Sequence, residues 1–518
     1  MKTTLFILIA TLSSVAMYAQ TPVPGGPISG TWTLAGSPYQ VMGETTIPNG
    51  QTLTIEPGVL VEWQGSYTMS VQGRILAIGT VSDSIRFTAA DTATGWRSIQ
   101  FKQTPPANDT SRFAFCAFSY GKAHGAFPDN CGGAICVLEF SKLVIDHCLF
   151  DRNEARDTVI NPGPTNPNSA GGAIALDSAS PVIKNSRFTN NIAVAGGAII
   201  CGMGCNASIA NNEFFDNTAV SYYGWWGQGF GGALCIYDES NPSVSGNIFR
   251  NNLAETGGGA IGIVINCSPE IDHNLIDHNT AYAVGGGIEV QDNCNPNILN
   301  NTIASNGASG AGIHIWLNSS PQIRNNILWD NNSGYEQVWI DDTSVPDFYY
   351  DDIQGGQAAF GGFPHTGVYL NCIDADPEFG DPLAGIFCLC ENYLSPCVNS
   401  GDPDPMYNDP DGSRNDMGAV WPPCTCPVIV PEPNPQNISV YPNPIDGNMN
   451  IGYRLMKEET VTLVLFNMVG DALINRAYER QQAGEYHIQL DVSDLAAGIY
   501  LIRLQAGVIF VTRKIVKH

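Results

Sequence analysis

The densest group of residues able to do chemistry in this 518-residue chain is the stretch SYYGWWGQGF, which sets Tyr222, Tyr223, Trp225, Trp226 and Phe230 within nine positions. Rings with an apolar face and a polar edge stack well on sugars, so the stretch points to a glycan ligand. The plainer alternative is that the rings fold down as a lid. His124, Asp129, Arg156 and Asp157 are the titratable groups expected nearby. Glycoside hydrolysis needs one acid and one base or nucleophile across the bond, and Asp146-His147, Asp272-His273 and Asp277-His278 invite that reading. In DPDGSRND, Asp409, Asp411 and Asp416 carry oxygen ligands at spacings a calcium loop uses, though a structural turn explains the string equally well. Calcium is the one cofactor these residues suggest.

What must position these residues is a repeat. The Ile or Leu that closes a Gly-rich GGAI-like signal recurs at Ile135, Ile174, Ile199, Leu234, Ile261, Ile288 and Ile313. A second signal, an apolar residue three before an Asn, keeps time with it: Phe150, Phe188, Phe214, Phe249, Ile276, Ile303 and Leu328 precede Asn153, Asn191, Asn217, Asn252, Asn279, Asn306 and Asn331. A fixed period of this size marks a unit that buries its apolar face only by stacking on copies of itself. Between the signals, segments such as PVIKNSRF, PEIDHNLI and PQIRNNIL alternate apolar and polar residues, which is the period of a strand. The expected fold is therefore all-β, a right-handed parallel β-helix of about three short strands per turn.

Stacking predicts columns. Ser141, Cys205, Ser240, Cys267, Cys294 and Ser319 stand nine residues before the anchor, with Ala179 or Ser180 in the copy that is one residue short. Asn212, Asn247, Asn274, Asn301 and Asn326 stand two before it. Small polar side chains at inward turns can bond the rungs above and below, a purely structural role. Asp151 and Asp277 share an outward column but lie four repeats apart, at roughly 4.8 Å per rung, so they cannot act together. Repeat timing also locates insertions, before Cys131, between Asn153 and Ile174, and between Asn217 and Leu234. All three fall at one corner of the cross-section, where loops on a rigid stack make the best candidate site.

The ends and the charge set further bounds. Residues 1–19 read as a secretory signal peptide with Lys2, an apolar core and Ala19 before the cut, although Met17 is large for its place. No later run reaches the length of a membrane-spanning helix. The formal net charge is −26, and residues 121–340 hold 8 Lys and Arg against 19 Asp and Glu. Such a surface repels nucleic acid, bare anionic membrane, and anionic polysaccharide unless calcium bridges the two. Of the 15 cysteines, Cys267 and Cys294 read as small inward hydrophobes, whereas Cys372, Cys388, Cys390, Cys397, Cys424 and Cys426 crowd together outside the repeats and are expected to form disulfides.

The opening strands TTIPNGQTLTIEPGVLVEW, the GGAI and FxxN repeats of residues 122–335, and FYYDDIQGG, DADPEFGDP, SPCVNSGDP and DPDGSRNDMGAV in order resemble exported bacterial right-handed β-helix proteins. The repeats are similar to those of polymorphic outer-membrane proteins and the pectate-lyase-like superfamily. The resemblance implies a β-helix over residues 20–421, with closing rungs at 336–421, and leaves the chemistry open, since the fold hosts lyases, hydrolases and adhesins alike. VWIDDTS superficially resembles the vWiDH block of pectate lyases, with Asp342 where that family has His; the RxPxxR element is missing, as are the NTD, GHG and RIK elements of polygalacturonases. After a Pro-rich linker at 422–435, residues 436–518 resemble the type A C-terminal sorting domain of the type IX secretion system of Bacteroidetes. The matching pieces are Tyr441-Pro442-Asn443-Pro444, Asn467 to Gly470, Ala497-Gly498-Ile499-Tyr500, and Arg513, Lys514 and Lys517, with Asn467 where the family often has Asp. This resemblance implies secretion machinery as partner, then release or attachment to surface lipopolysaccharide. The leading expectation is a secreted or surface protein that binds glycan through its corner loops without catalysis. The alternative is a polysaccharide lyase or hydrolase using the same loops.

Overall fold

The computed structural model describes residues 20–125, 127–156, 170–221, 229–307, 311–331, 336–382, 385–389, 395–419, 439–455, 458–467, 471–506 and 509–518. Strands laid down in turn join three parallel sheets of 13 strands each. The first sheet runs from Thr21–Val23 to Asp352–Ile353, the second from Gly26–Pro27 to Phe360–Gly362, and the third from Gly30–Trp32 to Tyr369–Leu370. Each sheet neighbour is therefore one full turn away in the chain, which is the topology of a parallel β-helix. A fourth ladder of six short strands, Lys122–Ala123 to Thr280–Ala281, lies in the chain between first-sheet and second-sheet strands.

The repeated residues are explained by what each column does. Phe118, Phe150, Phe188, Phe214 and Phe249 are fully buried and stack ring on ring at 4.7 to 4.9 Å. Both Asn columns are hydrogen-bonded ladders. Asn252, for example, accepts on Oδ1 from the backbone N–H and the amide of Asn217, and its own amide donates to Phe214 O and to Asn279 Oδ1. Every rung thus satisfies the polar atoms of the last, as buried polar groups require. Ser240 and Ser319 accept from the N–H of Cys205 and Cys294, and Cys294 Sγ accepts from Cys267 N–H, while Ala179 takes the inward place in the short copy. The double glycine has two separate causes. Gly231 adopts φ +65°, and a Cβ on Gly232 would sit 2.1 Å from Gly259 O on the next rung.

Ladder ends need a different residue. The 212-to-326 column terminates on Asp351, which accepts from the N–H and amide of Asn326 and from Tyr349 N–H. Complete burial pushes its carboxyl up to about 7 against those donors. A raised carboxyl contributes its stability below the ordinary value near 4 and loses it as pH climbs through about 7. The stability of Asp351→Asn relative to the wild type is thus expected to rise by roughly 2–4 kcal/mol between pH 4 and pH 8. Thermal melts of the β-helix transition at the two pH values check this; a difference between variant and wild type that does not change with pH refutes it.

The closing segment departs from the sequence expectation of rungs through residue 421. Third-sheet pairing stops at Tyr369–Leu370, and the described residues of 375–419 turn back over the outside of the first and third sheets. Gly385 O accepts from Arg250, Phe387 packs on Leu275 and Ala304, Cys397 donates to Asp352, and Asp402 pairs with Arg324. Asn300 donates to Asn415, and Ala419 N–H to Thr302. This strap explains a change in the outward column of the first sheet, which reads Leu149, Arg187 and Glu213 and then Ile248, Leu275, Thr302 and Ile327. Leu149 is 40% exposed, whereas Leu275 is 4% and Ile327 0% exposed under the strap. The expected disulfides differ too: Cys372 and Cys397 are free, Cys388 is disulfide-bonded, and Cys390, Cys424 and Cys426 lie outside the described residues.

The chain divides into two compact units, residues 1–424 and 425–518. In the second, a three-stranded and a four-stranded antiparallel sheet enclose one core that includes Ile445, Met449, Ile451, Leu463, Leu465, Leu490, Ile502 and Leu504. Asn443 of the YPNP string ties its start to its last strand, donating to Lys514 O and accepting from Val516 N–H. Asn467 accepts from Asp471 N–H on Oδ1, an acceptor that an Asp at this position would also offer. Among the described residues no helix is long and apolar enough to cross a membrane.

Candidate ligand-binding face

The three insertions leave the stack at one corner: each follows a fourth-ladder strand, Lys122–Ala123, Glu154–Ala155 or Thr218–Ala219, and rejoins at a second-sheet strand, Ile135–Leu138, Ile174–Asp177 or Leu234–Tyr237. Asp157, Tyr222, Tyr223, Trp225 and Trp226 lie outside the described residues. The other candidates are engaged with protein partners. His124 is exposed, with Nδ1 2.9 Å from Lys122 O and Nε2 3.5 Å from Ser66 Oγ. Asp129 accepts from Gln100 Nε2 at 3.2 Å and lies 3.6 Å from Arg97, which also faces Glu44. Arg156 Nε donates to Glu154 at 2.7 Å. Phe230 is 2% exposed, so its ring belongs to the packing of the second sheet rather than to a ligand-stacking surface.

That packing covers the outward face of the second sheet. Cys131, Cys136, Ala170, Ala175, Ala195, Ile200, Phe230, Cys235 and Val264 form an apolar cluster separate from the β-helix core. A Cys131–Cys136 disulfide ties the first corner loop to the sheet. The sequence reading missed this pair because it followed inward columns, and Cys136 stands at an outward place beside buried Ile135. Next to the cluster opens an apolar groove lined by Phe127, Leu138, Ile200, Met203 and Tyr237, with Asp177 among its walls. Phe127 and Met203 are 48% and 44% exposed. Burial raises the Asp177 carboxyl, helped by Glu139 and Asp238, and burial likewise raises the Tyr237 phenol. The floor is a rigid sheet, and the edges carry a phenol and a carboxyl.

Farther along the same face the outward column turns polar. After Cys235 and Gly262 it reads Glu289, His314 and Trp339, with Gln291 and Trp316 on the neighbouring column. None of these was singled out in the sequence, although the change of residue type along one column was a legible signal.

The carboxylate–histidine pairs bond within themselves, at 2.7 Å for Asp146–His147, 2.5 Å for Asp272–His273 and 2.8 Å for Asp277–His278. Asp277 also binds Arg250 at 2.7 Å, and the register from Asp151 through Thr189, Phe215 and Arg250 to Asp277 keeps the two aspartates four rungs apart. Asp342 is exposed. Asp409, Asp411 and Asp416 serve turns of the strap: Asp411 accepts from Ser413, Asp416 from Asn399 N–H, and Asp409 from Asp416 N–H. Among the described residues no group of three or more His, Cys, Asp or Glu side chains is placed to hold a metal ion.

Comparison with known proteins gives two family matches. A right-handed β-helix region matches residues 108–328, and a secretion-system C-terminal sorting domain matches residues 439–518. None of the curated proteins matches significantly. Among solved structures, the enzymatically active domain of tailspike protein 4 of bacteriophage CBA120 is 10% identical, and the match covers 90% of this chain and 63% of that chain. Its TM-score is 0.19, too loose a superposition to carry residues or activity across.

Proposed function

This chain is an exported right-handed parallel β-helix protein with a type IX secretion sorting domain, and from that premise we propose that it is a surface or secreted binding protein for an uncharged glycan. The supporting observation is the groove of Phe127, Leu138, Ile200, Met203 and Tyr237 on the outward face of the second sheet, beside the corner from which the three insertions leave. Aliphatic and aromatic side chains on a rigid floor, with a few polar groups at the edge, suit the alternating apolar and hydroxyl faces of a sugar chain. The acidic surface favours a neutral ligand over an anionic one. Binding is favoured over hydrolysis because Asp146 and Asp272 stand four rungs apart on the third sheet, and Asp277, on the first, is fully buried. The sorting domain is the part that engages the secretion machinery; we infer that its removal leaves the β-helix free or attached to surface lipopolysaccharide.

The test is incubation of the mature secreted protein with a panel of neutral and acidic polysaccharides, following both binding and the appearance of reducing or unsaturated ends. Tyr237→Ala is expected to weaken binding of a neutral glycan at least tenfold with the melting temperature unchanged. A Trp225→Ala, Trp226→Ala double variant asks the same of the corner loop. New chain ends on any substrate would establish the lyase or hydrolase alternative instead.

A further inference from the structure

The strap does not close on the stack everywhere. Phe387 seals it against Leu275 and Ala304 of the first sheet, but beside the third sheet it stands off and leaves a cleft of about 160 Å³. The floor is the outward face of three consecutive rungs: Glu270 and Asp272, then Asn297 and Leu299, then Gln322 and Arg324, paired in register. The wall is Tyr407, at the end of the short helical turn Pro405–Tyr407 of the strap. That wall is fixed in place. Arg324 pairs with Asp402, and its guanidinium lies 4.4 Å from the centre of the Tyr349 ring and 5.2 Å from that of Tyr407. Asn415 donates to Tyr407 O, and Asp404 caps the turn by accepting from Met406 N–H.

The floor, by contrast, holds polar groups that the fold leaves uncommitted and open to solvent. Glu270, Asn297 and Gln322 are exposed. The Glu270 carboxylate and the Asn297 amide bond no protein group among the described residues. Gln322 spends Nε2 on Asp347, and Asp272 uses Oδ1 on His273, so each keeps an oxygen for another partner. What such a floor binds follows from its chemistry. A metal ion needs ligands gathered round one point, whereas these groups step along the stack at roughly 4.8 Å per rung. An anion would face two carboxylates and a guanidinium already neutralised by Asp402. A hydroxyl group donates and accepts at once, and the floor offers carboxylate acceptors beside amides that do both. The phenol ring at the side suits the apolar face of a sugar. An oligosaccharide laid along the stack meets a polar group on every rung.

We propose that the cleft between the third sheet and the strap is a second glycan subsite, in which Glu270, Asn297 and Gln322 bind the hydroxyl groups of an uncharged oligosaccharide beside Tyr407. The inference rests on the glycan-binding reading and adds to it a site on a different sheet from the groove. The experiment titrates the full mature protein with neutral gluco-, manno-, galacto- and chito-oligosaccharides and with a lysine oligomer by calorimetry, beside hydrogen–deuterium exchange of the wild type. Glu270→Ala and Asn297→Ala, both at exposed positions, are each expected to weaken binding of one neutral series at least fivefold without lowering the melting temperature. Exchange should slow in residues 404–408 of the strap turn when that oligosaccharide binds, a readout that needs no variant to fold. Protection confined to residues 199–203 and 234–237, with Glu270→Ala and Asn297→Ala binding as the wild type while Tyr237→Ala does not, overturns the cleft and leaves the groove standing. The reverse pattern supports the cleft and removes the groove. Binding of the lysine oligomer in place of the sugars, lost in Glu270→Ala, overturns the assignment to a sugar, and binding of none of the four neutral series overturns both sites.

Discussion

Asn252→Leu is expected to destabilise the β-helix by about 5 kcal/mol or more, although the two side chains branch alike at Cγ. The substitution leaves the backbone N–H and one amide N–H of Asn217 without their acceptor and Phe214 O without its Asn252 donor, all in the fully buried interior. Each stranded buried group costs about 1–3 kcal/mol, and burial of an extra apolar side chain does not offset three of them. Because each rung contacts only its neighbours, the loss should open the stack locally around the 217, 252 and 279 rungs before the rest. Denaturant unfolding with hydrogen exchange reads both effects; a loss under about 1 kcal/mol would mean that the ladder carries little of the stability.

The second large effect is Gly232→Ala, a change of one methyl group. The added Cβ would lie 2.1 Å from Gly259 O and within 2.8 Å of Leu253 backbone atoms. Backbone cannot rotate away as a side chain does, so the two rungs must separate and their hydrogen bonds lengthen, at an expected cost of at least ~3 kcal/mol. Gly202→Ala is the matched control, since its Cβ would meet nothing nearer than Leu176 O at 3.7 Å. That variant should stay within about 0.5 kcal/mol of the wild type in the same urea melts. Equal behaviour of the two would remove the rung-contact account of the double glycine.

These contrasts explain what was legible in the sequence. Spacing identifies a column when one residue type answers one repeated demand, as Asn does at 217, 252 and 279 or Phe at 188, 214 and 249. It fails where a column changes its task. Ile248 and Leu275 read as ordinary strand residues, and nothing local announces that a segment more than 100 positions later lies on them. The strap has no period of its own, so its DPDGSRND and SPCVNSGDP strings resembled further rungs. Glu289 and His314 escaped for the opposite reason: the Ile288 and Ile313 signals beside them are regular, and attention to inward residues hides what stands between. Cys131 and Cys136 show the same blindness at the corner.

The strap also gives the stack a polarity of tolerance. A solenoid whose rungs touch only their neighbours has a length that comes in whole steps, and removal of one complete turn closes every column again. Residues 188–213 are such a turn, replacing Phe188 by Phe214 and Asn191 by Asn217 in register. The turn from Leu275 to Asn301 is equally regular but lies where Phe387 and Asn415 take their places along the outside. Shortening the protein there would put two lengths out of step, the spiral and its external tie. The same chain is thus extensible at one end and fixed in measure at the other.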